Sequence, residues 1–430
     1  MNGHSKDEKT LLVLGTFLIA VGIFCNEWLL SIFLGDNDAP SLLNRIAIWV
    51  FDSLCLLAGF LIIQYRSSLQ LKNLVLSAVS LAFMVFLSES VLRIFPMTNT
   101  TRGMLERSVA YEPSAFSIHR LASFDQNIKG KDGSPRLTIR NGYRGEEFPV
   151  EKPGGEIRIV ILGGSFVFND ESPLGKDWPH RIQEILQNKG HKNVRVINAG
   201  VPGHTTFDFI GRLYSEVHYF KPDYVVVCEA WNDMKYFRTV SPERTPLKTM
   251  RPLTRPTHQG YPPSWFSDLL DQSQIYLRLK SIPAIFGKPF GAEGRLPEGQ
   301  YADSFPRWGV EQYKLNLKNF VDVARNIGAI PILFTQPRLV SLNNSDEEKA
   351  RIVYAYSLLT HKALYQAFEE TDAAVYAVSK EKNAPMLDLA RLFSGQSELF
   401  LDHVHLTDRG SQGVAEAVAE FFQGVVERGI

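Results

Sequence analysis

The sequence has little cysteine and no surplus of charge of either sign. Three cysteines occur among 430 residues, and 46 lysines and arginines balance 46 aspartates and glutamates. Three cysteines are too few for a disulfide framework, so cysteine usage leaves the cellular compartment open. Nucleic-acid-binding proteins usually carry a basic surplus, so we expect no nucleic acid among the partners. The sequence also has no internal repeat and no low-complexity tract.

Long apolar runs occur near the N-terminus. A helix needs about 20 mostly apolar residues to cross the hydrocarbon core of a membrane. The candidate runs are Leu11–Leu34, Ile46–Ile63 and Leu74–Leu87, the last continuing to Leu92. We therefore predict a transmembrane module of about three helices over residues 1–95. A cleaved signal peptide or a lipoprotein site at Cys25 is the alternative for the first run, but no small-residue cleavage site is present there.

Charges in the loops orient this module. Basic residues precede the first run and separate the second from the third, whereas the first loop is acidic: Lys6, Lys9, Arg66 and Lys72 against Asp36 and Asp38. By the positive-inside rule the N-terminus is cytoplasmic, and everything after Phe95 is extracytoplasmic. We interpret the module as a tether in the lipid bilayer. A docking surface for a membrane partner is the alternative, because ionisable residues such as Asp52 and Glu89 in or beside spans usually face a partner or a cavity.

From Arg158 onward, short apolar runs alternate with amphipathic stretches. The predicted strands are Ile157–Leu162, Val194–Asn198, Tyr224–Cys228, Ile330–Phe334 and Met386–Leu389. The predicted helices are Asp177–Asn188, Phe207–Tyr219, Trp308–Asn326, Glu347–Lys380 and Ser411–Val426. This alternation predicts an α/β fold, namely a three-layer α/β/α sandwich with a mostly parallel, flavodoxin-like sheet. We place this domain at residues 156–430, with a connector at 96–155 that packs on it and an insertion at about 238–300, interpreted as a substrate-facing cap.

Ser165 follows the first predicted strand in the run Gly163-Gly164-Ser165. Open α/β sheets bind ligands at the carboxyl ends of their parallel strands, and the two glycines permit a tight turn close to a substrate. The turn suits a serine nucleophile whose own amide points outward. It also suits a helix N-cap or a phosphate-binding turn.

Two further loops follow the next two predicted strands. Asn198-Ala199-Gly200-Val201-Pro202-Gly203 contains two glycines whose backbone amides would face a ligand. Glu229-Ala230-Trp231-Asn232-Asp233 contains Asn232, an uncharged amide donor for a developing oxyanion. Each loop by itself is compatible with ordinary turn chemistry. Three successive strand ends carrying Ser, Gly and Asn favour a catalytic site at this edge.

Asp402-His403-Val404-His405 directly precedes the last predicted helix. A serine hydroxyl needs a base to remove its proton, and that base needs an orienting carboxylate. Asp402 and His405, three residues apart, can come within hydrogen-bond reach of each other. Metal ligation is the alternative reading, but no further His or Cys cluster completes such a site. We interpret His403, one residue from Asp402, as a bystander.

Together these segments resemble the SGNH hydrolase family, also called GDSL esterases. The family's Ser, Gly, Asn and His blocks occur here in order, from Arg158 to about Phe422, with the insertion unmatched. The resemblance implies that Ser165 attacks an ester carbonyl, that His405 acts as base and then as acid, and that Asp402 orients His405.

The resemblance also implies an oxyanion hole made by the Ser165 amide, the Gly203 amide and the Asn232 side chain. Gly203 is preferred to Gly200 because the family's glycine usually falls five residues after the block's asparagine. Two positions depart from the family pattern: Gly164 replaces the Asp of Gly-Asp-Ser-Leu, and Ala230 replaces a Gly. Neither has a chemical role in this scheme.

The nucleophile elbow of α/β-hydrolases is set aside. That motif requires Gly-x-Ser-x-Gly, and Val167 occupies the position of its last glycine. In those enzymes the Asp and His are also normally far apart in sequence.

Three functions are compatible with these residues. The favoured one is a membrane-anchored esterase that hydrolyses acyl esters, acetyl in particular, of an envelope glycan or a lipid-linked sugar. The second is an O-acyltransferase that places an acetyl group on an exported polysaccharide together with a membrane acyltransferase partner. The third is a non-catalytic scaffold, which the complete residue set argues against. No cofactor and no metal are implied. Trp231, Tyr261, Trp265 and Phe266 either stack on a sugar ring or form a small hydrophobic core.

Overall fold

The structure is a computed structural model that describes residues 6–24, 42–97, 100, 108–130, 132–237, 265–286 and 301–427. The chain divides into two compact units. The smaller unit contains Met1–Thr98 and Leu270–Lys280, and the larger one contains Asn99–Leu269 and Ser281–Ile430.

The smaller unit contains three helices, Lys6–Phe24, Leu42–Gln64 and Leu71–Leu92. The first two pack closely through glycines. A Cβ on Gly15 would lie 2.9 Å from the carbonyl oxygen of Gly59, and a Cβ on Gly59 would lie 2.6 Å from the carbonyl oxygen of Gly15. Because glycine has no side chain, two helices can approach to this distance.

Of the three predicted transmembrane helices, the described residues support one. Leu71–Leu92 is long and apolar enough to cross a membrane, and none of its residues is buried in the protein. Lys6–Phe24 starts with Lys-Asp-Glu-Lys, which shortens its apolar part. The apolar stretch Trp49–Gln64 is also short for a span. The prediction of three spans therefore overstated what these helices support, and the span that looked shortest in the sequence is the best supported.

The described middle of the insertion forms two helices, Trp265–Leu270 and Gln274–Phe286. Within the smaller unit, the Glu89 carboxylate accepts hydrogen bonds from the N–H groups of Gln274 (2.8 Å) and Ile275 (3.0 Å) and from the Ser273 hydroxyl (3.1 Å). Glu89 therefore caps the start of the second helix. Residues 238–264 and 287–300 lie outside the described residues, and the substrate-facing cap stays a prediction.

The larger unit is built on an eight-stranded mixed sheet. A separate pair, β1 (Tyr111–Glu112) and β2 (Arg120–Leu121), is antiparallel. The strands of the sheet are β3 (Gln126–Lys129), β4 (Pro135–Arg140), β5 (Tyr143–Arg144), β6 (Ile157–Gly163), β7 (Val194–Gly200), β8 (Tyr224–Cys228), β9 (Ile330–Phe334) and β10 (Met386–Leu387). Their order is β10-β9-β8-β6-β7-β5-β4-β3. The five strands from β10 to β7 are parallel, which confirms the predicted mostly parallel sheet.

The predicted connector contributes strands to this sheet. β5 pairs antiparallel with β7, where Arg144 lies opposite Asn198, and β4 and β3 continue the sheet as an antiparallel extension. The segment 126–144 is therefore an integral edge of the sheet.

Helices cover both faces of the sheet. They are Ser165–Phe168, Trp178–Asn188, Thr206–Ser215, Met234–Phe237, Arg307–Asn326, Asp346–Ala350, Tyr354–Ser357, His361–Lys382, Leu389–Phe393 and Asp408–Glu427. Short 3-10 turns occur at Val217–Phe220, Trp231–Asp233 and Ser397–Leu399. The helix predicted at 347–380 is thus three helices. Leu358 ends the second of them in a left-handed conformation, with φ 57°.

Alternate residues of β6 belong to two separate cores. Ile159 and Ile161 pack in one hydrophobic cluster with residues of the helices Trp178–Asn188 and Asp408–Glu427. Val160 and Leu162 pack in another with residues of Thr206–Ser215 and Arg307–Asn326. Successive side chains of a strand point to opposite faces, so this pattern confirms the predicted α/β/α layers.

The register of the central strands aligns their carboxyl ends. Gly163, the last residue of β6, pairs with Gly200 of β7 and with Cys228 of β8. The three loops that leave these strands therefore start at the same edge of the sheet.

Candidate active site

Ser165 is the first residue of the short helix Ser165–Phe168, which starts just after β6. The side chain is half-buried. A Cβ on Gly163 would lie 2.7 Å from the carbonyl oxygen of Cys228 and 2.1 Å from a methyl group of Val167. Only glycine fits at this position, so the strand can turn directly into the helix that carries the serine.

Ser165, His405 and Asp402 form one continuous set of hydrogen bonds. The Nε2 atom of His405 lies 2.7 Å from Oγ of Ser165, and its Nδ1 atom lies 2.6 Å from Oδ2 of Asp402. The other carboxylate oxygen of Asp402 accepts the N–H groups of Val404 (3.0 Å) and His405 (2.9 Å). These two backbone bonds fix the carboxylate, so it can orient the imidazole. The arrangement has the geometry required to activate a serine hydroxyl.

Asp402 and His405 each stabilise the charged form of the other side chain. Burial alone would raise the pKa of Asp402, but hydrogen bonding from His405 and the neighbouring imidazoles hold the pKa of that carboxyl well below its usual range. Burial alone would lower the pKa of His405, but the hydrogen bond and the charge of Asp402 outweigh it and raise the pKa above 6.5. A more basic His405 is a better proton acceptor for Ser165.

Asn232 and Gly203 lie in loops that one hydrogen bond connects. The Asn232 side chain donates one N–H to the carbonyl oxygen of His204 at 2.9 Å, which leaves its second N–H for another acceptor. Asn232 Nδ2 also lies close to Gly164, only 2.3 Å from where a Cβ would be. The Asn232 side chain is therefore held beside Gly164, the residue before Ser165. Gly203 has φ 83°, a conformation that favours glycine.

The backbone N–H groups of Ser165 and Gly203 are the other two predicted oxyanion donors. In the part of the chain that the structure describes, neither N–H donates to a protein acceptor. The oxyanion hole predicted from these two N–H groups and the Asn232 side chain stays a prediction.

His119, in the predicted connector, holds the Gly203 loop. Its Nε2–H donates to the carbonyl oxygen of Pro202 at 2.9 Å, and its own carbonyl oxygen accepts Nε2–H of His204 at 2.6 Å. Burial lowers the pKa of His204 to about 3, so this ring is neutral. Sequence reasoning did not find His119, because it lies 84 residues from Gly203 in a segment without a motif.

A buried ion pair between Arg144 and Asp177 contacts the segment that follows the helix Ser165–Phe168. This pair was not predicted from the sequence. Arg144 of β5 donates to the carbonyl oxygens of Asn169 (2.6 Å) and Ser172 (2.9 Å). Its Nε atom lies 3.2 Å from Asp177, and the two side chains are 2% and 1% exposed. Asn198, the first residue of the predicted glycine loop, donates to Asp177 at 2.8 Å. This group ties together the helix after Ser165 and the end of β7.

Glu229 is a third residue that the sequence did not reveal. Its carboxylate is buried and accepts the N–H groups of Gly164 and Asn232, each at 2.8 Å. The one available signal was the missing side chain at Gly164, where the family has an aspartate.

Trp231 and His403 belong to the core behind the site. Trp231 is 5% exposed and stacks on Tyr356, with ring centroids 5.1 Å apart. The centroid of the His403 ring lies 3.9 Å from that of the Trp231 ring. Burial lowers the pKa of His403 to about 4. Trp231 is therefore not a surface for stacking on a sugar. Trp265 is 77% exposed, whereas Tyr261 and the Phe266 side chain lie outside what the structure describes.

In the described ranges, no group of three or more His, Cys, Asp and Glu side chains is arranged to hold a metal ion. Asp402, His403 and His405 are engaged with one another and with Ser165 instead. The absence of a metal and of a cofactor stays a prediction.

A comparison against known families identifies the family of the chain. A profile of the GDSL-like lipase/acylhydrolase family matches residues 161–412, and the chain belongs to this family. It is therefore an SGNH-type enzyme that hydrolyses ester bonds. The match contains Ser165, Gly203, Asn232, Asp402 and His405.

Several solved structures are similar to the chain at low identity. A lipase/acylhydrolase from Enterococcus faecalis is 17% identical, with 62% of this chain and 96% of that chain covered and a TM-score of 0.38. A catalytic mutant of an acetylxylan esterase from Geobacillus stearothermophilus is 16% identical, with 63% and 95% covered and a TM-score of 0.37. A GDSL-like lipase from Bacteroides thetaiotaomicron is 13% identical, with 65% and 92% covered and a TM-score of 0.35. A search of curated proteins finds no match.

Proposed function

We propose that the chain is a membrane-anchored serine esterase that removes acyl groups, acetyl in particular, from an envelope glycan or a lipid-linked sugar. The observation that carries the proposal is the set of hydrogen bonds from Asp402 through His405 to Ser165, at 2.6 and 2.7 Å. In this proposal Ser165 is the nucleophile, His405 is the base and Asp402 orients the base.

In the first half-reaction, Oγ of Ser165 attacks the ester carbonyl carbon while Nε2 of His405 takes the hydroxyl proton. The negative charge that forms on the carbonyl oxygen is bound by the N–H groups of Ser165, Gly203 and Asn232. His405 then donates its proton to the leaving sugar oxygen. The C–O bond of the ester breaks, and the acyl group stays on Ser165.

In the second half-reaction, water attacks the acyl-enzyme and gives its proton to His405. The same three N–H groups bind the second oxyanion. The bond to Ser165 then breaks, His405 returns the proton to Oγ, and a carboxylic acid leaves. Asp402 keeps its charge throughout, and its fixed carboxylate stabilises the protonated imidazole.

The proposed location rests on the apolar helix Leu71–Leu92 and on the distribution of basic residues around the N-terminal helices. In this proposal the smaller unit is a multi-pass anchor in the bilayer, and the hydrolase domain is extracytoplasmic. A substrate in the cell envelope follows from that location. Domain limits of 1–95, 96–155 and 156–430 belong to the same proposal.

The test is hydrolysis of a chromogenic acetate ester by the full-length protein purified in detergent. We expect turnover by the wild type and background rates for Ser165→Ala. Ser379→Ala is the matched control, because the Ser379 hydroxyl donates to the carbonyl oxygen of Ala384 near the end of the helix His361–Lys382. If Ser165→Ala keeps the wild-type rate, the proposal is wrong.

Identification of the acetylated product of the same reaction distinguishes hydrolysis from acyl transfer. Both reactions share the acyl-enzyme, and they differ in whether water or a sugar hydroxyl attacks it. We expect free acetate as the main product when a soluble oligosaccharide acceptor is added. If acetylated oligosaccharide predominates, the chain is an O-acyltransferase, and a membrane acyltransferase partner becomes the expected acyl donor.

A further inference from the structure

The Glu229 side chain lies between Gly164, the residue before Ser165, and Asn232. It directly follows β8 and is 1% exposed. One carboxylate oxygen accepts the N–H of Gly164 at 2.8 Å, and the other accepts the N–H of Asn232, also at 2.8 Å. The two donors belong to the loops after β6 and β8. The carboxylate therefore bridges two elements of the site that come from different strands.

The missing side chain of Gly164 makes room for this carboxylate. A Cβ at position 164 would lie 2.3 Å from Oε2 of Glu229 and 2.3 Å from Nδ2 of Asn232. Its φ of −82° lies outside the left-handed region, so the need for glycine that these distances show is a need for space. An aspartate at position 164, as in Gly-Asp-Ser-Leu, cannot fit while Glu229 holds its place.

The backbone around Glu229 is fixed on the opposite side as well. Its carbonyl oxygen accepts the hydroxyl of Tyr313 at 2.8 Å. The N–H groups of Ala230 and Trp231 both donate to the side-chain oxygen of Gln336, at 2.8 and 2.7 Å. The carboxylate is thus a rigid acceptor, and a rigid acceptor can set the position of the two N–H groups that it binds.

We propose that Glu229 is a positioning residue of the esterase site, which holds Ser165 and Asn232 at the spacing that oxyanion binding requires. The inference rests on the proposed function, because it assumes that Ser165 and Asn232 act in catalysis. The carboxylate that the family carries on the residue before the serine is supplied here from the neighbouring strand. Glu229 touches no reacting atom in this scheme and acts through the backbone of its two partners.

The first test compares Glu229→Gln with Glu156→Gln in the full-length protein. A glutamine can accept one of the two N–H groups, but its NH₂ group then opposes the other, so the turn and Asn232 move apart. A misplacement of about 1 Å can lower a rate about 100-fold. We expect kcat to fall at least about tenfold, with KM within about twofold of the wild type.

Glu156 is a matched control because its carboxylate is also largely buried and hydrogen-bonded, to Arg158 at 2.7 Å. It lies just before β6, at the opposite end of that strand from Ser165. A purely structural role of Glu229 would lower the melting temperature and leave kcat of the folded fraction unchanged. That result for Glu229→Gln would overturn the inference.

The second test compares Glu229→Asp with Glu229→Ala. A carboxylate that is one methylene shorter can still accept one of the two N–H groups, whereas the alanine side chain can accept neither. We therefore expect Glu229→Asp to be more active than Glu229→Ala. Activity of Glu229→Asp at or below that of Glu229→Ala would overturn the inference, even if Glu229→Gln fails to fold.

The variant Ser165→Ala distinguishes a failure of the proposed function from a failure of the role proposed for Glu229. If Ser165→Ala is as active as the wild type, the proposed function fails and Glu229 has no nucleophile to position. If Ser165→Ala is inactive while Glu229→Gln and Glu229→Ala behave like the wild type, the proposed function stands and only the role of Glu229 is wrong.

Discussion

Replacing Asp402 by asparagine changes few atoms but removes the charge that orients His405. One oxygen of Asp402 accepts the N–H groups of Val404 (3.0 Å) and His405 (2.9 Å), and the other faces Nδ1 of His405 at 2.6 Å. An asparagine can keep its oxygen on the two backbone donors, which turns its NH₂ group toward Nδ1. A donor in that position moves the ring proton to Nε2, the atom that must accept the proton of Ser165.

The size of the effect follows from this change of tautomer. In the serine protease triad the same substitution lowers kcat by about 10⁴-fold. Here we expect a loss of about 10³- to 10⁴-fold, or about 4 to 5.5 kcal/mol at 1.36 kcal/mol per factor of ten. The fold should survive, because both backbone hydrogen bonds to the side-chain oxygen can be kept.

The assay is the initial rate of acetate ester hydrolysis, with circular dichroism to verify folding. Asp322→Asn is the matched control, since Asp322 pairs with Lys382 on the helix surface at 2.7 Å and its side chain is 49% exposed. We expect the control to keep the wild-type rate. A folded Asp402→Asn protein with kcat within about tenfold of the wild type would refute the role assigned to Asp402.

Three further predictions concern the oxyanion hole, the pH profile and the support of the serine helix. Asn232→Ala should lower kcat by about 10²- to 10³-fold with little change in KM, because a donor to the developing oxyanion is lost. Steady-state kinetics measures both constants, and an unchanged kcat would exclude Asn232 from the oxyanion hole. The value of kcat/KM should rise with pH through the raised pKa of His405, above 6.5, since only the neutral imidazole accepts a proton; a midpoint below 6.5 would contradict this. Arg144→Leu should destabilise the protein by about 3 to 5 kcal/mol in urea unfolding, because it removes the guanidinium group that pairs with one oxygen of the buried Asp177 carboxylate. A loss below about 1 kcal/mol would contradict this prediction.

Much of the candidate site can be predicted from the sequence, because each of its residues follows a recognisable local feature. Ser165, Gly203 and Asn232 come directly after strands whose apolar runs are evident, and parallel strands end at one edge of a sheet. Asp402 and His405 are three residues apart, so one turn suffices to join them. The separation of 240 positions between Ser165 and His405 did not prevent the prediction, because the fold class already places both at that edge.

The supporting residues could not be predicted, because their contacts are distant in sequence and their segments lack periodicity. Arg144 lies in β5, which is two residues long and too short to show an alternating pattern. In the sequence, Glu229 looks like an ordinary polar residue after a strand. Only the structure shows that its carboxylate is buried and accepts the N–H groups of Gly164 and Asn232. The break at Leu358 in the helix predicted at 347–380 depends on a left-handed residue that the sequence does not mark.

The link between Glu89 and the insertion has a practical consequence for producing the protein. A soluble fragment that starts after Leu92 would retain Leu270–Lys280 but lose the helix that this segment packs with. The N–H groups of Gln274 and Ile275 would lose their acceptor, the Glu89 carboxylate. If such a fragment aggregates, the cause would therefore be the helix start that has lost its acceptor, and not a defect of the hydrolase domain. Shortening the insertion together with the N-terminus is the better truncation.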